Sequence, residues 1–344
     1  MTSRLLSACL LAFATQANAT TLLFGSCAHQ DEPLPILRHI AEQPADAFVF
    51  LGDNIYGDTE DMAVLAAKYQ KLGNNPNFQA LQHAMPVHAI WDDHDYGEND
   101  AGAEYPQKEA SRQIMLNFWG APKDSPRRSR PDGIYTDFFI GEGEQRIHVI
   151  LPDLRWNRAP LNGMGKIEYV LKRRPDNRGP YSPSEDPTAS MLGEAQWQWL
   201  ENAIKQPAAL TIIGSSLQVL PDFTGWEAWV NFPADRQRLF NVIRENNING
   251  VMLISGDTHW GEISRYDTEL DYPLWEVTSS GLTEEWKQIS PNKHRIGDAT
   301  HTNNYGFVTI NTEVEQPFVH VGLKDAAGNI LMAQKVLLSS LRPY

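Results

Sequence analysis

Asp92, Asp93, His94, Asp95, Glu98 and Asp100 fall within nine positions of the string WDDHDYGEND. Carboxylates this dense beside an apolar run repel one another unless cations or solvent neutralise them. Asp93 is the candidate metal ligand. His94 is suited to contact substrate or to transfer a proton, with Asp95 or Asp92 as the carboxylate that orients its ring. GDNIYGD supplies Asp53, a carboxylate able to bridge two cations, and Tyr56, whose phenol can coordinate as phenolate beside a cation. Asp58 in the same string is either a further ligand or a loop carboxylate. SGDTHW supplies Asp257 and His259. Two residues apart on extended chain, they point the same way and can reach one centre. In PDLRW, Arg155 can grip a phosphate with two parallel hydrogen bonds or form an ion pair with Asp153.

Buried strands are needed to deliver these side chains. Short apolar runs lead directly into them: Thr21–Phe24 into Gly25-Ser26-Cys27, Ala47–Leu51 into Gly52-Asp53, and Val87–Trp91 into the acidic string. Ile147–Leu151 leads into Pro152-Asp153, Leu210–Ile213 into Gly214-Ser215-Ser216, and Val251–Ile254 into Ser255-Gly256-Asp257. Continuous runs of this length read as strands covered on both faces. Helical spacing separates several of them, over 33–42, 62–72, 108–119, 193–204 and 235–246. Alternating strands and helices predict an α/β sheet with a large parallel component, with the reactive residues beyond the carboxyl ends of its strands. The last 70 residues read instead as strands without helices, over 274–278, 307–312, 318–322 and 330–336. They are expected to complete a second sheet by hairpins.

Composition narrows the function classes. The 344 residues are 42% hydrophobic and 21% charged, normal for a globular chain. The net charge of −14 argues against sequence-independent binding of nucleic acid, which needs basic charge. An anionic substrate then needs metal ions or a local basic patch. Two segments offer one: the loop Pro126–Pro131, and the run from Arg155 to Arg178, which holds seven basic residues against Glu168 and Asp176. Both either guide anions or are solvated loops. No apolar run reaches the ~18 residues of a membrane helix. Arg4, the apolar Leu5–Ala14 and the small-x-small Ala17-Asn18-Ala19 read as a secretory signal cut after Ala19, leaving residues 20–344 as a single exported domain. Cys9 leaves with that signal, so Cys27 is a lone thiol with no internal disulfide partner.

Taken together and in order, FGSC, GDNIYGD, WDDHDYGEND, PDLRW, SSLQVLP, NFPADRQRL, SGDTHWGEISR and TSSGLTEEW resemble the alkaline phosphatase D (PhoD-like) family of the metallophosphoesterase superfamily. The resemblance implies an α/β fold, a four-layer αββα sandwich, with a multinuclear metal site. It implies that Cys27, Asp53 and Tyr56 hold ferric iron and that Asp53 bridges to a second metal, calcium, near Asp93. Asp257 and His259 complete the shell. Zinc is the alternative metal. His94 takes the place of the superfamily's catalytic histidine. The implied reaction is in-line hydrolysis of phosphate monoesters or diesters by metal-activated water, with a phospholipase D-like phosphodiesterase or a non-catalytic metal-binding protein as alternatives. Three features depart from the pattern. The chain is shorter than the larger family members and is expected to lack their N-terminal β-domain, Asp93 stands where the superfamily has Asn, and Ser215, Ser216 and Gln218 stand where a metal His is expected.

Overall fold

A computed structural model describes residues 19–267 and 270–342. All but the last position of the expected signal segment lies outside the described residues. The remainder opens with β1 (Thr20–Gly25), β2 (Ala47–Leu51) and β3 (Val87–Ile90), three parallel neighbours in one sheet. Between β1 and β2 runs α1 (Pro35–Ala41), and between β2 and β3 run α2 (Met62–Gly73) and α3 (Pro76–Ala84). Both crossovers step in the same direction along the sheet, so right-handed connection places their helices on one face. Phe50 of β2 accordingly packs on Phe78 of α3, with ring centroids 6.0 Å apart. The Asp61 side chain caps α2 by accepting from Ala63 and Val64 N–H, and Asn75 caps α3 likewise ahead of Pro76. The four-residue α4 (Asp93–Tyr96) and then α5 (Lys108–Phe118) follow β3.

The second sheet is built around β5 (Ile147–Leu151), β8 (Leu210–Gly214) and β9 (Val251–Ser255), also parallel neighbours. α7 (Glu194–Ala203) and α8 (Pro233–Glu245) link them, and Arg238 of α8 ion-pairs with Glu194 and Glu201 of α7. β4 (Thr136–Ile140) closes one edge beside β5. β11 (Leu274–Ser279) lies parallel to β9, and β10 (Gly261–Tyr266) closes the other edge antiparallel to β11. A small hairpin of β6 (Asn162–Gly163) and β7 (Tyr181–Ser182) encloses α6 (Lys166–Lys172).

The C-terminal strands behave differently from the sequence expectation. Only β11 joins the second sheet. β12 (Asn304–Asn311), β13 (Phe318–Asp325) and β14 (Ile330–Leu337) form a meander that extends the first sheet, with Thr20 of β1 opposite Ile310 of β12. Hairpin chemistry fixes the pairing of these three with each other. The attachment edge is decided by the free edge of β1, whose unpaired backbone groups β12 covers. The sheets meet where the chain leaves β11: Leu282 N–H donates to Ser26 O at 3.1 Å, and Ser279 Oγ donates to Asn304 Oδ1 at 2.9 Å. Buried side chains of both sheets join in one apolar cluster.

Candidate active site

Every parallel strand of both sheets releases its chain at the same end, and the reactive residues gather there. Cys27 (φ 62°), Asp53 (φ 49°), Asp257 (φ 70°) and His259 (φ 60°) all take left-handed backbone conformations as non-glycine residues. Such conformations cost on the order of 1–3 kcal/mol each and persist only where the surroundings enforce them. Two glycines let the loops close in. A Cβ on Gly52 would sit 2.4 Å from Asp92 Cβ, and one on Gly256 would sit 2.5 Å from Ser26 Oγ. The Gly of each Gly-Asp pair is therefore what lets neighbouring loops bring their acids together.

Asp53 is buried at the centre. Its Oδ2 lies 3.4 Å from Cys27 Sγ, and its Oδ1 has no hydrogen-bond partner among the described residues. Ligand atoms of Cys27, Asp53 and His259 lie within 4.8 Å of one another, and so do those of Asp53, Asp93 and His94. Asp53 thus belongs to two potential cation sites at once. Asp92, Asp93 and Asp257 form a third such group, and Asp93, Asp100 and Glu227 a fourth. Tyr56 joins the first side: its OH is 3.1 Å from His259 Nε2, and its ring stacks on His29.

The electrostatics call for cations. Burial, followed by the charge of Asp93, pushes the Asp53 carboxyl well up; burial and Asp92 do the same to Asp257. Burial and Asp53 likewise raise the Cys27 thiol. Asp93 Oδ1 and Asp92 Oδ2 are also buried without a hydrogen bond among the described residues. Burial and the nearby His94 charge pull His259 down to about 4, so its ring is neutral, the form that ligates. Thiol, phenol, imidazole and orphaned carboxylate oxygens together form a donor set that fits metal ions.

His94 lines a cleft of about 230 Å³ together with Asp53, Asp93, Asp257, Glu227, Trp226 and Trp286. Burial disfavours its charge, but Asp53, the Asp58 hydrogen bond and Asp93 outweigh this and raise it to about 11. Asp58 Oδ1 sits 2.7 Å from His94 Nδ1. Asp58 is therefore the carboxylate that orients the ring, in place of Asp95 or Asp92.

Asp95 has another task. It accepts from the backbone N–H of Asp53 (3.2 Å), Asn54 (3.3 Å) and Asp92 (2.7 Å), and from Asn54 Nδ2. It ties the GDNIYGD loop to the acidic loop and does not touch the cleft, which corrects its assignment as a catalytic residue. Asp92 is also taken up elsewhere, accepting from Ser216 Oγ at 2.7 Å.

Arg155 is fully buried and absent from the cleft wall. Its guanidinium meets Asp92 at 2.5 Å, Glu227 at 2.7 Å and Asp93 at 3.5 Å. It is a counter-charge holding three acids, which corrects its reading as a phosphate grip. Asp153 reaches it only through the Arg155 backbone N–H. The Pro126–Pro131 loop is also structural: Arg127, Arg128 and Arg130 donate to backbone carbonyls such as Ile134 O, Pro122 O and Tyr135 O. At the departing strand end, Ser216 serves Asp92, Ser215 Oγ donates to Leu217 O, and Gln218 donates to Glu262.

Sequence reasoning missed Glu227 as a partner of the acidic centre. TGWEAW carries no strand-end signature and reaches the site only by the fold. Asp100 belongs to the acidic string, but no sequence signal assigns it a task. Its backbone N–H donates to Asp93 Oδ2 at 2.7 Å.

The family model for PhoD-like phosphatase matches residues 65–320. Asp93, His94, Asp257 and His259 lie inside that stretch, and Cys27, Asp53 and Tyr56 precede it. Alkaline phosphatase D of Bacillus subtilis (strain 168) is 24% identical over 72% of this chain and 48% of its own length. The chain therefore spans about half the length of that curated relative. The solved structure of PhoD superposes with a TM-score of 0.68 at 18% identity, over 92% of this chain and 71% of that one. GAP50, the anchor in the inner membrane complex of Plasmodium, superposes with a TM-score of 0.55 at 11% identity, over 93% of this chain and 89% of its own. The likeness to PhoD bears out the metallophosphoesterase-like sandwich, and the family model spans well over half of the sequence: this chain belongs to the PhoD-like phosphatase family.

Proposed function

We propose that this protein is an exported, metal-dependent hydrolase of phosphate esters, acting on monoesters, diesters or both. The observation that carries the proposal is Asp53, whose carboxylate clusters with Cys27 and His259 on one side and with Asp93 on the other. A bridging carboxylate is how a chain sets two cations side by side. Cys27, Tyr56 and His259 would hold one ion with Asp53. Asp93 and Asp257 would hold the second, with Asp100 and Glu227 beside them. Thiolate and phenolate favour ferric iron for the first position and all-oxygen ligands favour calcium for the second, with zinc as the competitor. Bound metals supply a nucleophilic water at neutral pH and draw charge from the phosphoryl oxygens.

The chain's own groups do the rest. Asp53 and Asp93 position the reacting face of the cleft. Asp58 occupies His94 Nδ1 and leaves Nε2 free to donate to the leaving oxygen as it gains charge. Arg155 keeps Asp92, Asp93 and Glu227 from repelling one another apart. Trp226 and Trp286 line the cleft. The fold alone carries none of this, since one structural neighbour is described as an anchor.

The test is metal analysis of the purified protein with parallel monoester and diester assays, before and after chelation. Turnover that chelation abolishes and metal restores supports the reading. Full activity in metal-free protein, or bound metal without turnover of any phosphate ester, rejects it. Export rests on the Leu5–Ala14 and Ala17-Asn18-Ala19 pattern, with residues 20–344 as the single mature domain. Intact mass of protein recovered outside the cytoplasm should give Thr20 as the first residue. A chain retaining Met1 there rejects cleavage.

A further inference from the structure

Of the basic residues between Arg155 and Arg178, most are already engaged. Arg155 and Arg158 are buried against Glu227, Lys172 pairs with Glu168, and Arg173 donates to Tyr181 O and Ser182 Oγ. Arg174 and Arg178 differ: among the described residues neither side chain has a hydrogen bond or a carboxylate partner; Arg178 lies over the Phe223 ring at 5.4 Å, and its Nε is buried without a hydrogen bond. Both line a second cavity of about 310 Å³, with Tyr169 and Gln288. That cavity shares Trp226 and Trp286 with the metal cleft, so the two spaces adjoin across an aromatic wall.

The basic segment is fastened to that wall. Gly179 N–H donates to Thr224 O at 3.1 Å, Tyr181 N–H to Gly225 O at 2.8 Å, and Ser290 Oγ to Asn177 O at 2.6 Å. These bonds fix the arginines relative to Trp226 and Glu227 of the cleft. In a chain of net charge −14, beside a centre crowded with carboxylates, two guanidinium groups with no carboxylate partner make a local site for an anion. The rings of Trp226, Trp286 and Tyr169 between them offer an apolar shelf for a linker.

We propose that this cavity binds a second phosphate carried on the leaving alcohol of the substrate, so that the protein favours esters bearing two phosphate groups. This rests on the phosphoesterase reading and names its substrate class. The probes are α,ω-alkanediol bisphosphates of increasing chain length, each against the monophosphate of the same alcohol, with metal-loaded protein. The expected result is a kcat/KM ratio of bisphosphate to monophosphate of tenfold or more at one favoured length. That ratio should collapse towards unity in Arg174→Ala/Arg178→Ala and fall in the exposed single variant Arg174→Ala, which disturbs no internal contact. Monophosphate turnover with no bisphosphate preference, or a preference that survives both variants, overturns the proposal and leaves the phosphoesterase reading standing. If neither ester is hydrolysed, calorimetric titration of bisphosphate separates the two ideas. Arginine-dependent binding then supports the second-phosphate site while the phosphoesterase reading fails, and its absence overturns the site as well. α6 exposes Ile167 and Leu171 nearby. Arginine-dependent binding to anionic phosphatidylglycerol vesicles, with an unchanged substrate ratio, would overturn the proposal in favour of a lipid surface.

Discussion

His94 and Asp58 lie 2.7 Å apart, Nδ1 to Oδ1, although they belong to different loops and stand 36 residues apart in the chain. The carboxylate that sets the ring of the candidate catalytic histidine thus comes from the GDNIYGD loop, two residues beyond Tyr56. Asp58→Asn should keep the metal content of the parent protein. It should lower kcat by ~10- to 100-fold, the usual effect of a lost carboxylate partner. The alkaline limb of the pH–rate profile should also move to lower pH, because Asp58 is one of the charges that hold His94 protonated. An unchanged profile and rate would remove Asp58 from this role.

His94 itself lines the cleft. His94→Gln should retain bound metal and lose ~10²- to 10⁴-fold in kcat, the range of a general acid. The deficit should shrink for esters with strongly acidic leaving alcohols, which need no proton. An equal loss for good and poor leaving groups would argue that His94 only shapes the cleft.

Asp53→Asn should abolish metal loading at both positions and activity with it. The unfolding midpoint of the metal-free protein should not fall, since a buried charge among Asp93, Asp92 and Asp95 is removed. Retained stoichiometric metal in the variant would show that Asp53 is not shared between two sites.

The proposed ligand set predicts colour. A ferric ion held by Tyr56 and Cys27 would give a visible charge-transfer band, which Tyr56→Phe should shift or bleach and Cys27→Ser should alter separately. A colourless, fully active protein containing zinc and no iron would replace iron while leaving the hydrolase intact.

Arg155 is the counter-charge of the acidic centre. In metal-free protein Arg155→Met should lower stability by about 3–5 kcal/mol, the effect of leaving buried charges without their partner. Added metal should recover part of that loss, because cations then neutralise Asp93. Denaturant midpoints with and without metal test both statements.

His88, on β3 away from the centre, stacks on Phe138 with centroids 3.5 Å apart. Burial, then the charge of Arg127, pulls it from 6.5 down to about 4. Its folded value lies below its unfolded one, so its contribution is fully present above pH 6.5 and is lost as pH falls towards 4. His88→Phe should flatten that part of the acid destabilisation, worth at most about 3 kcal/mol. Identical pH dependence in parent and variant would show that His88 does not titrate this way.

The sequence by itself determined the strands that carry the chemistry, because a strand covered on both faces must be apolar throughout and its last residue opens onto the ligand end of the sheet. Phe48–Leu51 before Gly52-Asp53 and Val251–Ile254 before Gly256-Asp257 are legible for that reason. Asp53, Asp93 and His259 are legible as candidate ligands because each follows such a strand in a string whose residue types suit a cation. What the sequence could not determine is which side chain spends its charge on which neighbour. Asp95 and Asp58 are both acids near His94 in motif space, yet only the turn into α4 aims Asp95 at the backbone of Asp53 and Asn54 and leaves His94 to Asp58. Glu227 and Arg155 come from segments 72 residues apart and meet only because the second sheet brings their loops to one end. The edge taken by β12 was likewise open, since hairpin pairing is local, whereas the choice of β1 as its neighbour depends on which sheet edge the rest of the fold leaves bare. Local pattern reports burial and chain direction, and the pairing of charges across loops is a property of the packed structure.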